Sequence, residues 1–181
     1  MMQTLEQKLR KEIKIQNVVC TADLKQPVDI TSFNKYKYLS SNLSLYHCGY
    51  VKTDSMNGRV TVFRSGKLIS VGTKSPDQAE KELKKAGKIL LDYKLIHKFR
   101  IEPKIRNIVG GFDLQKNIAL IKLARTMPKS IYEPDQFPGL IFRIQDSLVA
   151  LVFASGKGVL VGGKSFVELN QGLYEVERWI N

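Results

Sequence analysis

The amino-acid sequence predicts an α+β protein built from two copies of one unit, and two observations predict it. The first is self-similarity at an offset of 90 residues. Ile15-Gln16-Asn17-Val18-Val19 returns as Ile105-Arg106-Asn107-Ile108-Val109, and Asp23-Leu24 as Asp113-Leu114. Phe63-Arg64-Ser65-Gly66-Lys67 returns as Phe153-Ala154-Ser155-Gly156-Lys157, and Val71-Gly72-Thr73-Lys74-Ser75 as Val161-Gly162-Gly163-Lys164-Ser165. One register holds from the first match to the last with no gap between them. The second observation is the shared order of signals: strands first, then a long helix with its own start. Two copies are too few for a solenoid, so the reading is a pseudo-twofold domain with the copies side by side. The expected boundaries are an N-terminal extension at residues 1–12, a first repeat at 13–96 and a second at 97–181.

Each copy opens on a β-rich stretch, Lys14 to Ala22 and Lys104 to Phe112. A short apolar-periodic segment follows, Ile30/Phe33 and Leu120/Leu123/Ala124, read as one short helix per copy with N-caps near Asp29 and Asn117. Further strands come next. Arg59 to Phe63 and Leu148 to Phe153 are β-branched and apolar, and Asn57-Gly58 is a hairpin signal. Ser65-Gly66-Lys67 and Ser155-Gly156-Lys157 turn the chain into the strands Leu68–Thr73 and Gly158–Gly163. A longer helix closes each copy. Ser75-Pro76-Asp77-Gln78 and Ser165-Phe166-Val167-Glu168 are capping boxes. Apolar stripes follow at Ala79, Leu83, Ala86 and Leu90, and at Phe166, Leu169, Leu173, Val176 and Ile180. Lys81, Lys84, Lys85 and Lys88 occupy the other face of the first helix. An antiparallel sheet with helices on one face only leaves its second face open.

Composition narrows the function. Across 181 residues, 29 Lys and Arg against 17 acids leave a formal charge of +12, heavier in the first half. An excess of that size suits a polyanion, nucleic acid before anionic membrane. No apolar run spans a bilayer, and the opening residues lack a signal peptide's apolar core, so no membrane partner and an intracellular location are expected. Cys20, Cys48, His47 and His97 have no zinc-ligand spacing, so no metal and no cofactor are expected. No Ser-His-Asp set, carboxylate cluster or phosphate loop is visible. Gly162-Gly163-Lys164-Ser165 resembles the end of a phosphate loop but lacks the earlier glycine at the right spacing. A non-enzymatic protein is expected.

Alternation puts Asn17 with Val19 on one strand face, Asn107 with Val109, Lys67 with Ile69 and Val71, and Lys157 with Val159 and Val161. Pointing away from the helices, these residues make an apolar stripe holding two asparagines, ringed by cations. Such a stripe suits the floor of a DNA minor groove. Pointing toward the helices, they are ordinary core.

Tyr132-Glu-Pro-Asp-Gln-Phe-Pro-Gly-Leu-Ile-Phe-Arg143, with Val152 to Lys157 and Val161 to Ser165, closely resembles the core of the TATA-box-binding proteins of archaea and eukaryotes. The likeness runs over residues 13–181. It implies a saddle: a curved ten-stranded antiparallel sheet with four helices on its convex face. It implies that aromatic side chains wedge between base steps of promoter DNA and bend it; minor-groove wedging by this family is a standard example of the mechanism. The matching wedges are Phe137 and Phe153 in the second copy and Phe63 in the first, with His47 falling opposite Phe137 at the 90-residue offset. Asn17 and Asn107 match the family's base-contacting amides, and Val19 and Val109 its apolar groove contacts. Arg143, Lys67, Lys157, Lys74 and Lys164 match its phosphate-facing cations. Glu133 and Asp135 match the acidic loop where transcription factor B docks.

Departures from the family are also legible. Tyr46 to Thr53 stands where a Gln-Phe-Pro-Gly tract ending in arginine belongs, and at the 90-residue offset only Gly49 matches. Val71 and Val161 replace groove-facing threonines. The resemblance therefore implies a divergent general initiation factor. Its partners are A·T-rich double-stranded promoter DNA, transcription factor B and the RNA polymerase assembly, with a homodimer as the alternative occupant of the apolar face. It would work in the cytoplasm and nucleoid of an archaeon or the nucleus of a eukaryote. The competing reading is a paralogue acting mainly as a protein-interaction module, with weak or altered DNA binding.

Overall fold

The computed structural model describes residues 13–180; the expected extension at 1–12 lies outside them. The chain forms two compact units, one spanning Asn17–Arg106 and the other residues 13–16 with 107–180. Ten strands are present among the described residues, five to a unit. In the first unit they are β1 (Lys14–Asp23), β2 (Leu39–Ser41), β3 (Cys48–Val51), β4 (Arg59–Phe63) and β5 (Lys67–Thr73), followed by α1 (Pro76–Asp92). The second has β6 (Lys104–Asp113), α2 (Leu120–Thr126), β7 (Ser130–Ile131), β8 (Leu140–Arg143), β9 (Val149–Val152), β10 (Lys157–Gly163) and α3 (Phe166–Ile180). Strand orders are β2-β3-β4-β5-β1 and β6-β10-β9-β8-β7, with antiparallel pairing throughout. The α+β class and the repeat read from the sequence are both borne out.

Alternation sorts most strands by burial. In β1, Val18, Cys20 and Ala22 are buried while Asn17, Val19 and Thr21 are half-exposed. Helix α1 covers the buried face at β4 and β5, and α3 covers it at β9 and β10. The expected stripe is fully buried in α1; in α3, Leu169, Leu173 and Val176 are buried and Phe166 and Ile180 only partly. Paired strands exchange volume between the repeats. Ala22 lies opposite Leu68, whereas Phe112 lies opposite Gly158, where a Cβ would sit 2.1 Å from the Phe112 ring.

Both capping boxes form. Gln78 N–H donates to Ser75 Oγ at 3.2 Å and Glu168 N–H to Ser165 Oγ at 3.1 Å. The returning side chains reach one residue further out than a standard box. Gln78 Oε1 accepts from Lys74 N–H at 3.1 Å, and Glu168 Oε2 from Lys164 N–H at 2.8 Å. Ser165→Ala is expected to cost about 1 kcal/mol, the usual worth of an N-cap, read as a lower urea midpoint with unchanged slope.

The short helices depart from expectation. The second repeat has α2, but the first has only a 3-10 turn at Phe33–Lys35, so three α-helices stand among the described residues where the resemblance implies four. Ala, Leu, Lys and Arg dominate 119–125, whereas the first copy reads Thr31-Ser32-Phe33-Asn34, poor helix formers. Asp29 makes no N-cap. Its carboxylate accepts from the Thr31 N–H at 2.9 Å and from the Thr31 hydroxyl, bonds that hold its pKa below the ordinary carboxylate value. The cap positions are Ser32 and Ala119, neither with a side-chain cap bond, so Asn117 lies two residues upstream of the cap position.

Candidate nucleic-acid interface

The open strand face of each unit is built from residues that pair across strands and point away from the helices. In the first unit Tyr50 lies opposite Thr61, Thr61 opposite Ile69, and Ile69 opposite Thr21, with Arg59 opposite Val71. In the second, Ile141 lies opposite Leu151, Leu151 opposite Val159, and Val149 opposite Val161. Val19, Val71, Val109 and Val161 are half-exposed, as an uncovered face requires. The core reading of this stripe, open from the sequence, is thereby excluded.

Asn17 and Asn107 are locked in the same way. Val18 and Cys20 pair with Thr73 and Ser70, so β5 bulges at Gly72, whose φ of 91° glycine adopts without penalty. The bulge frees the Gly72 N–H, which donates to Asn17 Oδ1 at 2.7 Å. Gly162, at φ 98°, repeats this, donating to Asn107 Oδ1 at 2.8 Å. An N–H donor needs an oxygen to receive it, so each amide flip is determined and each NH2 is left to donate.

Phe137 and Phe153 meet edge to face, 5.8 Å between centroids at 62°. Gly139 lies beneath them: a Cβ there would stand 2.8 Å from Phe137 and 3.0 Å from Phe153. Glu133 and Asp135 are exposed on the preceding turn, where Phe137 N–H donates to Glu133 O at 2.9 Å.

The first unit corrects one sequence-based equivalence. Gly49 pairs with Val62, and Leu140 pairs with Val152. Since Val62 and Val152 are 90 apart, β3 and β8 correspond at 91. The flanking bonds agree. Tyr46 N–H donates to Asn42 O as Phe137 N–H does to Glu133 O, and Lys52 N–H to Tyr38 O as Arg143 N–H does to Lys129 O. One residue more between Ile118 and Lys129, offset by one more between Lys52 and Arg59, hides the slip from a gapless comparison. Tyr46, not His47, therefore stands where Phe137 stands; His47 is the counterpart of Pro138 and is exposed. Cys48 takes the place of Gly139. Gly49 is kept for another reason, since a Cβ there would lie 2.3 Å from the Phe33 ring.

Lys67, Lys74, Lys157, Lys164 and Arg143 are all exposed. Lys52, the counterpart of Arg143, is also exposed but is tied to its own loop, its ammonium donating to the carbonyls of Met56, Asn57 and Gly58 at 2.5, 3.0 and 2.6 Å. Sequence reasoning missed Tyr46, Tyr50, Arg59 and Thr61. The alternation of Arg59-Val-Thr-Val-Phe63 was the signal that could have found the last two. It also missed an open cleft of about 1320 Å³ beside Phe63 and Lys67, lined in part by Lys25, Lys98 and Arg100. Gln26 pins one wall of that cleft, accepting from His97 N–H at 3.0 Å and donating to the Lys98 carbonyl.

Comparison with known proteins agrees with this geometry. The profile of the family described as "Transcription factor TFIID (or TATA-binding protein, TBP)" matches residues 12–93 and 102–181. A TATA-box-binding protein of Cenarchaeum symbiosum is 37% identical over 174 residues, 95% of this chain and 96% of that one. A TATA-box-binding protein-like 1 of Entamoeba histolytica is 32% identical over 165 residues, covering 90% and 76%. The solved structure of Methanococcus jannaschii TBP superposes with a TM-score of 0.81 at 32% identity, covering 93% of this chain and 98% of that one.

Proposed function

This chain belongs to the family of transcription factor TFIID, or TATA-binding protein, and from that premise we propose that it binds TATA-like promoter DNA in the minor groove, bends it and recruits transcription factor B. The general role, a transcription initiation factor working with promoter DNA and the transcription machinery, comes with the family. The residue-level reading is carried by one observation: in both units a bulge glycine occupies the asparagine oxygen and leaves the NH2 to donate. An A·T pair shows only acceptors in the minor groove, adenine N3 and thymine O2. Two oriented donors set among Val19, Val71, Val109 and Val161 fit that floor.

Around it, Phe63, Phe137 and Phe153 supply wedges, and Lys67, Lys74, Arg143, Lys157 and Lys164 meet phosphates. His47, beside the Tyr46 wedge, lies at the edge of the contact. Glu133 and Asp135 receive transcription factor B, and through it the polymerase assembly. Without DNA, a second copy covers the apolar face. The place of action is wherever promoter DNA lies, the nucleoid of an archaeal cell or the nucleus of a eukaryotic one. Among the described residues no helix is long and apolar enough to cross a membrane.

The test is energy transfer between dyes at the ends of a short duplex. Shortening is expected on a TATA element and not on its scrambled control, with affinity falling steeply as salt rises because phosphate contacts release counterions. Equal or absent shortening on both duplexes would overturn the bending mechanism. It would favour the interaction-module reading, which one observation supports: Lys52, unlike Arg143, is committed to its own loop.

A further inference from the structure

We propose that the two repeats read their half-sites unequally: Tyr50 and Thr61, flanked by Arg59, let the first repeat accept a guanine in the minor groove, whereas the second repeat excludes it. The inference rests on the minor-groove reading above and adds the specificity of each half.

The argument is the ladder itself, compared position by position. Tyr50 stands where Ile141 stands, Thr61 where Leu151 stands, and Arg59 where Val149 stands. Inward of these the two faces match, Ile69 against Val159 and Val71 against Val161. The exchange of hydrocarbon for polar groups centres on these three adjoining positions, with Thr21 against Gly111 and Cys48 against Gly139 as further differences on the same face. The second repeat presents only hydrocarbon there; the first presents a phenol, a hydroxyl and a guanidinium.

Only one group distinguishes G·C from A·T in the minor groove, the guanine N2 amino donor. Against Ile141, Val149 and Leu151 that donor loses its water and gains no acceptor, an unfavourable burial. Thr61 Oγ1 and the Tyr50 phenol oxygen are both acceptors. The Arg59 guanidinium lies 4.7 Å from the Tyr50 ring centroid, a cation–π contact that steadies the ring. The neighbouring Cys48 and burial push the Tyr50 phenol pKa above the ordinary tyrosine value. Cys48 is itself specific to the first repeat, since Gly139 holds that place in the second.

The experiment measures affinity by fluorescence anisotropy on a palindromic A·T element and on derivatives carrying one G·C pair in one half, or one in each half. Inosine·C versions lack only the amino group. Wild type is expected to tolerate the single change within about threefold, because it can lay its first repeat on the guanine, and to lose roughly tenfold or more when both halves carry one. Inosine restores binding to the doubly changed duplex. In the Tyr50→Ile/Thr61→Leu double variant, the ratio of A·T to single-G·C affinity rises to roughly tenfold.

A full loss on the first G·C pair in wild type overturns the proposal and leaves the family reading intact. Tolerance that persists in the double variant overturns the assignment to Tyr50 and Thr61. Failure to bind even the A·T element overturns the minor-groove reading, and this inference with it. The wild-type arm decides the proposal whether or not the variant folds.

Discussion

Tyr46→Ala is expected to reduce DNA bending about as much as Phe137→Ala, while His47→Ala leaves it nearly unchanged. A wedge offsets the unstacking of a base step, which costs on the order of a few kcal/mol. Losing about 3 kcal/mol corresponds to roughly a hundredfold in affinity, so each wedge variant should bind that much more weakly and lose end-to-end shortening. Tyr46 qualifies on placement and exposure. Its turn bonds and strand register match those of Phe137, and it is 58% exposed, as a ring that must enter a stack has to be. His47 sits one residue further on, where the second repeat has Pro138. Energy transfer on the TATA duplex with the three single variants decides the matter. A large loss for His47→Ala with none for Tyr46→Ala would show that the gapless 90-residue equivalence governs function after all.

The second large effect is on stability. Phe33→Ala is expected to cost about 3–5 kcal/mol, the usual range for a buried phenylalanine truncated to alanine. Phe33 is fully buried, and its ring lies so close to the Gly49 backbone that no Cβ fits between them. Gly49→Ala alone should therefore overpack the site, at a cost of about 1–3 kcal/mol. Combined with Phe33→Ala it should cost less than the sum, because the alanine methyl enters space the ring has left. Urea unfolding of the two single variants and the double variant gives the coupling directly. Additive costs would mean that Gly49 is kept for some reason other than this ring.

Much of the fold was legible because its signals are local. The capping boxes at Ser75 and Ser165 needed only four residues each, and both formed. Alternation along Lys14–Asp23 and Lys67–Thr73 assigned faces correctly, since strand periodicity is a property of the backbone. The shortest strands were harder. β2, β3 and β7 are two to four residues long, too short for a period to show. The short helix of the first repeat failed for a different reason. The Asx turn at Asp29 competes with a helix start, and the spacing of Ile30 and Phe33 cannot reveal which one wins.

The candidate site divides along the same line. By itself the sequence determined that there are two repeats, that Asn17 and Asn107 are equivalent, and which family the chain resembles. Those facts depend on residue identity and on a period that survives without gaps. Only the tertiary structure decided which aromatic of Tyr46-His47 answers to Phe137, because two compensating one-residue slips cancel in a linear comparison and show only in strand pairing. It also decided the amide orientation of the asparagines and the unlike chemistry of the two open faces. Each of these depends on which residues meet across paired strands, Asn17 with Gly72 and Tyr50 with Thr61, and a chain read in order carries no direct record of such meetings.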